Sequence, residues 1–154
     1  MTRAQVPVEP AAPYGGSAAQ WREYSDALAA SEAMGLRCTE IEPGRARFAV
    51  ADSVWPLNPA GAVHGGLVAA LADQALGMVT MTVVGEGQKP ATASMTVEYQ
   101  RPARAPLTLE AEVSKAGRTL VFVSVLVRDR DGKVCTKVTG TSVVDGTSRR
   151  MTTP

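Results

Sequence analysis

The segment Asn58-Pro59-Ala60-Gly61-Ala62-Val63-His64-Gly65-Gly66 runs directly into Leu67-Val68-Ala69-Ala70-Leu71-Ala72-Asp73 and concentrates the side chains that could do chemistry. Gly65-Gly66 stands where an apolar helical stretch begins. A helix start leaves backbone N–H groups without partners and carries a partial positive charge. Glycine there lets a substrate oxygen come close to the backbone. An acyl carbonyl under attack gathers negative charge on oxygen, and one preorganised amide aimed at it is worth about 3 kcal/mol. A Gly-Gly pair serves equally as a tight turn into a helix. Asp73 lies inside the apolar stretch, so it is expected in greasy surroundings. A buried carboxylate costs several kcal/mol unless it is paired or used. Asp73 therefore either accepts structural hydrogen bonds or acts as a nucleophile or general base.

Spacing constrains these two residues together. Asp73 follows Gly65 by eight positions, which on a helix is ~12 Å along the axis. A carbonyl held at the Gly65 amide and attacked from Asp73, or from its water, needs both within ~3–3.5 Å. One straight helix cannot supply that geometry, whereas two helices from two subunits passing each other can. If both residues act, the site is shared across a two-fold interface, two sites per dimer. His64 is the single histidine, either a structural hydrogen bonder of the loop or a catalytic group. No G-x-S-x-G occurs, and no Ser-His-Asp arrangement can be argued from position. Asn58-Pro59 is a common turn pair, and Asn58 is also a candidate polar contact.

The rest of the chain must position these groups. It has 154 residues, 45% hydrophobic and 20% charged, with a formal net charge of +1. That suits one domain with a real core and gives no long-range attraction to nucleic acid or anionic membrane. Cys38 and Cys135 fit no CxxC pattern and read as small buried apolar residues rather than a disulfide. With one histidine, no metal site is expected. Residues 62–84 are interrupted by His64, Asp73 and Gln74, which disfavours a membrane-spanning helix. No basic segment followed by an apolar one opens the chain, so the cytoplasm is the expected compartment.

Residues 1–16, rich in proline and glycine, are expected to be disordered, residues 17–145 to form the domain, and residues 146–154 to be a flexible tail. Ser17-x-x-Gln20 has capping-box spacing, and Trp21, Tyr24 and Leu28 mark one face of a helix ending near Gly35. Pro43-Gly44 divides a hairpin over 36–50, and 51–62 is a loop. The long helix over 65–84 is apolar on most faces and so must be wrapped on most sides. After a turn at 85–90, strands follow over 91–100, 107–114, 119–127 and 133–144. The strand over 107–114 alternates, whereas 119–127 is nearly all apolar and reads as buried on both faces. An α+β antiparallel sheet wrapped around one helix satisfies both patterns. Its open edge strand is one that a dimer can close.

The pattern Asn58-x-x-Gly61-x-x-His64-Gly65-Gly66, followed by Leu71-Ala72-Asp73, resembles the signature of the PaaI-type hotdog-fold acyl-CoA thioesterases, the phenylacetyl-CoA thioesterase branch of the thioesterase superfamily. The likeness covers about residues 35–144 and includes Tyr99-x-Arg101-Pro102 and Gly117-Arg118-Thr119. It implies a hotdog fold, a homodimer with a continuous sheet that often pairs into a homotetramer, and acyl-CoA hydrolysis without a cofactor, coenzyme A entering as part of the substrate. By position, Gly65 supplies the oxyanion amide, and Asp73 of the partner attacks or activates water. Asn58 and His64 hold thioester and water. Thr92 assists, with Ser94 as the second choice. Gly66 lines the substrate path, and Arg101 and Arg118, with Arg104 and Lys115 behind them, are candidates for the phosphates. Some relatives carry a threonine one turn after the acid; Gly77 stands there, so that contact is lost or taken by Thr80. The other functions weighed are a non-catalytic acyl-CoA-binding protein and an acyl-thioester dehydratase. An acid at position 73 argues against the first, and an HGG turn in place of a hydratase motif argues against the second.

Overall fold

The structure is a computed structural model and describes residues 8–145. Helix α1 (Ala18–Ala27) opens with the expected capping box: Ser17 Oγ accepts from the Gln20 amide, and Gln20 Oε1 accepts from the Ser17 amide. The helix does not run unbroken to Gly35. Leu28 is extended (φ −65°, ψ 133°), and a separate α2 (Ala29–Met34) follows, ended by Gly35 at φ 68°. The break turns Leu28 onto the core, while Asp26 Oδ1 accepts from the Cys38 amide at 2.7 Å and ties the helix to the first strand. Trp21 is buried between Tyr14 and Tyr24, both edge-on to it. This corrects the reading of 1–16 as wholly disordered: Ala12 and Tyr14 pack against the core. Residues 1–7 and the expected tail, 146–154, lie outside the described residues.

Strands β1 (Leu36–Glu42) and β2 (Arg45–Val50) form the hairpin, turned by Gly44 at φ 80°. After the loop comes α3 (Gly65–Met81), then β3 (Lys89–Tyr99), β4 (Leu107–Ala116), β5 (Leu120–Arg128) and β6 (Val134–Asp145). All six strands make one antiparallel sheet in the order β1-β2-β4-β5-β6-β3, and α3 packs across its inner face. The α+β reading of a sheet around one long helix holds.

Two burial expectations do not. Among the described residues the outer face of the sheet has no second layer, so β5 is not buried on both sides. Val121, Val123, Val125 and Val127 point inward, while Leu120 and Phe122 point outward, each 39% exposed. Nor is α3 wrapped on most sides. Leu67, Leu71, Ala75, Leu76 and Val79 are buried, but Gly66 and Asp73 are exposed and Ala69, Ala70, Gly77 and Met81 half-buried. The sheet covers one side of the helix, and the opposite side carries small residues and the acid. Both cysteines are free and buried.

Close approach of α3 to the sheet depends on Gly140 in β6. It sits between Val123 and Met95 on the inner face, and any Cβ there would collide with the side chain of Leu76. A Gly140→Ala protein is expected to lose about 1–3 kcal/mol of unfolding free energy through overpacking, read by chemical denaturation. An unchanged midpoint would show that Leu76 has room to move aside.

Candidate active site

The helix start is built by its own loop. His64 is the N-cap of α3, its Nδ1 accepting from the Gly66 amide at 3.0 Å. Its carbonyl accepts from Leu67 and Val68 at 2.9 and 3.1 Å. The Gly65 amide has no acceptor among the described residues. The Gly65 carbonyl receives the Tyr99 hydroxyl at 2.7 Å. The peptide between Gly65 and Gly66 is thus held from both sides, while the Gly65 N–H, like that of His64, has no acceptor among the described residues. The glycines keep their neighbours close, and a side chain at either would push on a ring by a few tenths of an ångström. A Cβ at Gly65 would lie 3.2 Å from the Tyr99 ring, and one at Gly66 would lie 3.2 Å from His64 Nδ1 and 3.5 Å from the Trp55 ring. Trp55 also leans on His64, with centroids 5.9 Å apart.

Asn58 shapes the approach. Its Oδ1 accepts from the Ala60 and Ala62 amides at 3.0 and 3.1 Å, and its backbone exchanges bonds with Ala62 and Gly61. With the carbonyl oxygen committed to the loop, the side-chain NH2 faces outward as a donor.

The expectation of greasy surroundings for Asp73 is corrected: in the single chain its carboxylate is exposed. It lies on the face of α3 that the sheet leaves open. Thr92 Oγ1 on β3 donates to Asp73 Oδ1 at 2.7 Å. Oδ2 has no partner among the described residues. Thr92 therefore meets the acid, but Ser94 does not join it. A bulge separates Thr92 from Ser94, and Ser94 pairs with Thr141 on the outer face of the sheet. Thr80 is not the replacement contact either: it is buried, donating to the Leu76 carbonyl at 2.8 Å and lying 3.5 Å from the Ser142 hydroxyl.

The structure therefore gathers two half-sites. Gly65, Gly66, His64 and Asn58 form one, and Asp73 with Thr92 the other. Because α3 is continuous from Gly65 to Met81, they stand ~12 Å apart along its axis. Arg101 is exposed, two residues beyond Tyr99, at the Gly65 end of β3. Exposed Arg118 lies in the β4–β5 turn, beside the Leu120–Val143 pair and so at the Asp73–Thr92 end. Tyr99 and Trp55 had no role assigned from sequence. Alternation along β3 puts Tyr99 inward and could have found it; a loop tryptophan carries no such signal.

Alternative nucleophiles are poor. Burial pushes the Cys38 thiol up to about 12, with the Asp26 carboxylate adding to the rise. Burial also raises Cys135. Both remain thiols at neutral pH and are inert. A cavity of about 500 Å³ lies against Arg45, Arg47, Glu110 and Glu112, whose charges are matched in ion pairs at 2.8 and 3.4 Å. A second, of about 380 Å³, lies between Tyr14, Tyr24, Met81 and Pro90. No helix among the described residues is long and apolar enough to cross a membrane.

Comparison with known proteins identifies the fold and the family. The family profile of the thioesterase superfamily matches residues 60–136, half of the chain and the whole span from the loop through β5. No curated protein sequence matches. Among solved structures, a thioesterase family protein from Silicibacter pomeroyi is 26% identical, with a TM-score of 0.75 over 83% of this chain and 98% of its own. A hypothetical thioesterase from Streptococcus pneumoniae, solved with coenzyme A, is 25% identical, with a TM-score of 0.65 over 72% of this chain and 86% of its own. The Escherichia coli PaaI protein of the phenylacetic acid degradation operon shares the fold at 21% identity, with a TM-score of 0.73 over 84% and 97%. The chain has the hotdog fold, belongs to the thioesterase superfamily, and is a thioester hydrolase.

Proposed function

We propose that the chain hydrolyses acyl-CoA thioesters at two sites built between two copies of itself. The observation that carries this reading is the unspent Gly65 amide and the open Asp73 carboxylate, held far apart on one helix and both left uncovered by their own chain. Antiparallel passage of two α3 helices brings the Gly65 of one copy to the Asp73 of the other. The free edge of β3 supports the same pairing. It is an 11-residue strand hydrogen-bonded to β6 on one side only, and joining two such edges removes the liability of an open ladder.

In this arrangement the thioester carbonyl oxygen takes the Gly65 N–H. Asp73 attacks the carbonyl carbon, or removes a proton from the water that does. When water attacks, the carbon–sulfur bond then breaks, the proton taken up by Asp73 passes to the leaving sulfur, and coenzyme A leaves as the thiol with the acid as the other product. When Asp73 attacks, the same break leaves a mixed anhydride on Asp73. A water molecule then hydrolyses it to the acid, restores the carboxylate and supplies the thiol proton. Thr92 fixes one carboxylate oxygen and leaves Oδ2 for the reaction. His64 caps the helix, so its contribution is to hold Gly66 and the oxyanion turn. The outward NH2 of Asn58 and the open surface at Gly66 receive the thioester. Arg101 of one copy and Arg118 of the other fall at the same shared site and suit the phosphates of coenzyme A. The coenzyme A bound to the Streptococcus pneumoniae relative supports that class of substrate. Exposed Leu120, Phe122 and Val143 on the outer sheet face support a further contact that makes a dimer of dimers, and the cytoplasm is the compartment proposed.

The test is thiol release from phenylacetyl-, benzoyl- and medium-chain acyl-CoAs. Asp73→Asn is expected to lower kcat by ~10²-fold or more while substrate still binds. Gly65→Pro removes the amide at a helix position that accepts proline, and kcat should fall ~10²–10³-fold. Binding without release by the unaltered protein would make it a carrier or sensor instead, and full activity in Asp73→Asn would remove the acid from the mechanism.

A further inference from the structure

The open side of α3 continues past the acid. Asp73, Gly77 and Met81 follow one another at intervals of four, one ridge of the helix. The inner face of β3 runs beside this ridge: Thr92 bonds Asp73, and Pro90, two residues earlier on the same face, lines the cavity that Met81 also lines. Between those two points stands only Gly77. Its φ is not positive, and a Cβ there would meet nothing within 4 Å. No backbone demand explains glycine at this place, and glycine weakens a helix interior relative to alanine. Without a side chain there, the trough beside Gly77 is open, and beyond it lies the cavity of about 380 Å³, lined by Met81 and Pro90 though not by Gly77 or Asp73. The far walls are the rings of Tyr14 and Tyr24, brought there by the N-terminal segment and α1. The Tyr14 hydroxyl is anchored on the Gln88 carbonyl at 3.3 Å.

We infer that this trough and cavity form the acyl-binding subsite, and that it takes an unbranched apolar chain of medium length. The inference rests on the acyl-CoA reading above. From Asp73 to Met81 is ~12 Å along the axis. With C–C bonds of ~1.5 Å in a zigzag, an extended chain advances roughly 1.3 Å per carbon, so about eight to ten carbons reach the tyrosine-walled end. A phenylacetyl group ends near Gly77 and leaves the cavity unfilled. Gly77 sets the passage, while Met81, Tyr14 and Tyr24 set the depth.

The experiment is kcat/KM for straight acyl-CoAs from acetyl to dodecanoyl, and for phenylacetyl-CoA, with the unaltered protein and Gly77→Leu. The decanoyl-to-butyryl ratio should exceed about tenfold in the unaltered protein and collapse toward unity in Gly77→Leu, since several methylenes lose their pocket. Met81→Trp, which fills the cavity from a neighbouring position, should lower the same ratio. A flat chain-length profile, a phenylacetyl optimum, or a ratio unmoved by Gly77→Leu overturns the subsite and leaves the hydrolase reading standing. Absence of thiol release from every thioester overturns the hydrolase reading. In that event, calorimetric binding of decanoyl-CoA against butyryl-CoA to the two proteins decides the subsite by the same ratio.

Discussion

A rigid helix fixes the distance between the two groups that matter. The Gly65 amide and the Asp73 carboxylate are carried on one continuous α3, and no rotamer or loop movement can close ~12 Å of axial rise. The surrounding architecture can be understood as accommodating that separation. The sheet covers only one side of the helix, leaving the side with Gly66, Asp73 and Gly77 free. The strand nearest the acid, β3, lies at the edge of the sheet with its outer ladder unpaired. The loop before α3 spends the Asn58 and His64 side chains on itself and leaves the Gly65 amide without an acceptor among the described residues.

The electrostatics of the half-sites differ in a way that suits their roles. At the helix start, the macrodipole and a free N–H favour negative charge on an approaching oxygen. Around Asp73, the one side-chain hydrogen bond among the described residues comes from a neutral hydroxyl, which orients the carboxylate without neutralising it. Exposure of the acid in one chain is therefore not a flaw in the arrangement. A carboxylate on an apolar helix needs a polar neighbour or water; Thr92 is that neighbour, and a second copy would supply the oxyanion turn.

Much of this was legible in the residues. The capping box at Ser17, the turn at Pro43-Gly44, the alternation in β4 and the spacing of Gly65 to Asp73 each reflect a local rule, and each appears as expected. What was not legible depended on layers. The apolar run of β5 reads as doubly buried, but its outward side chains meet no second layer among the described residues, and on the opposite side of the molecule the face of α3 turned away from the sheet leaves Asp73 exposed. The helix break at Leu28 stands beside a tertiary bond, Asp26 to the Cys38 amide, that no local pattern announces. The packing of Tyr14 against Trp21 overrides a composition rich in proline and glycine. Ser94 is separated from Thr92 by a bulge, and a bulge inverts the face of every residue after it. Tyr99 and Trp55 flank the glycines from distant or irregular segments, which is why the pair Gly65-Gly66 could not be told from an ordinary turn.

Sharing of the site between copies is tested most directly by complementation. Asp73→Asn and Gly65→Pro chains, each inactive alone, are co-refolded in equal amounts and assayed for thiol release. In a mixed dimer, one site joins an intact Gly65 to an intact Asp73 and the other joins the two altered residues. Half of randomly formed dimers are mixed, so about a quarter of the unaltered activity should return. Activity no higher than the sum of the separate variants would place both groups of each site in one chain and contradict the account.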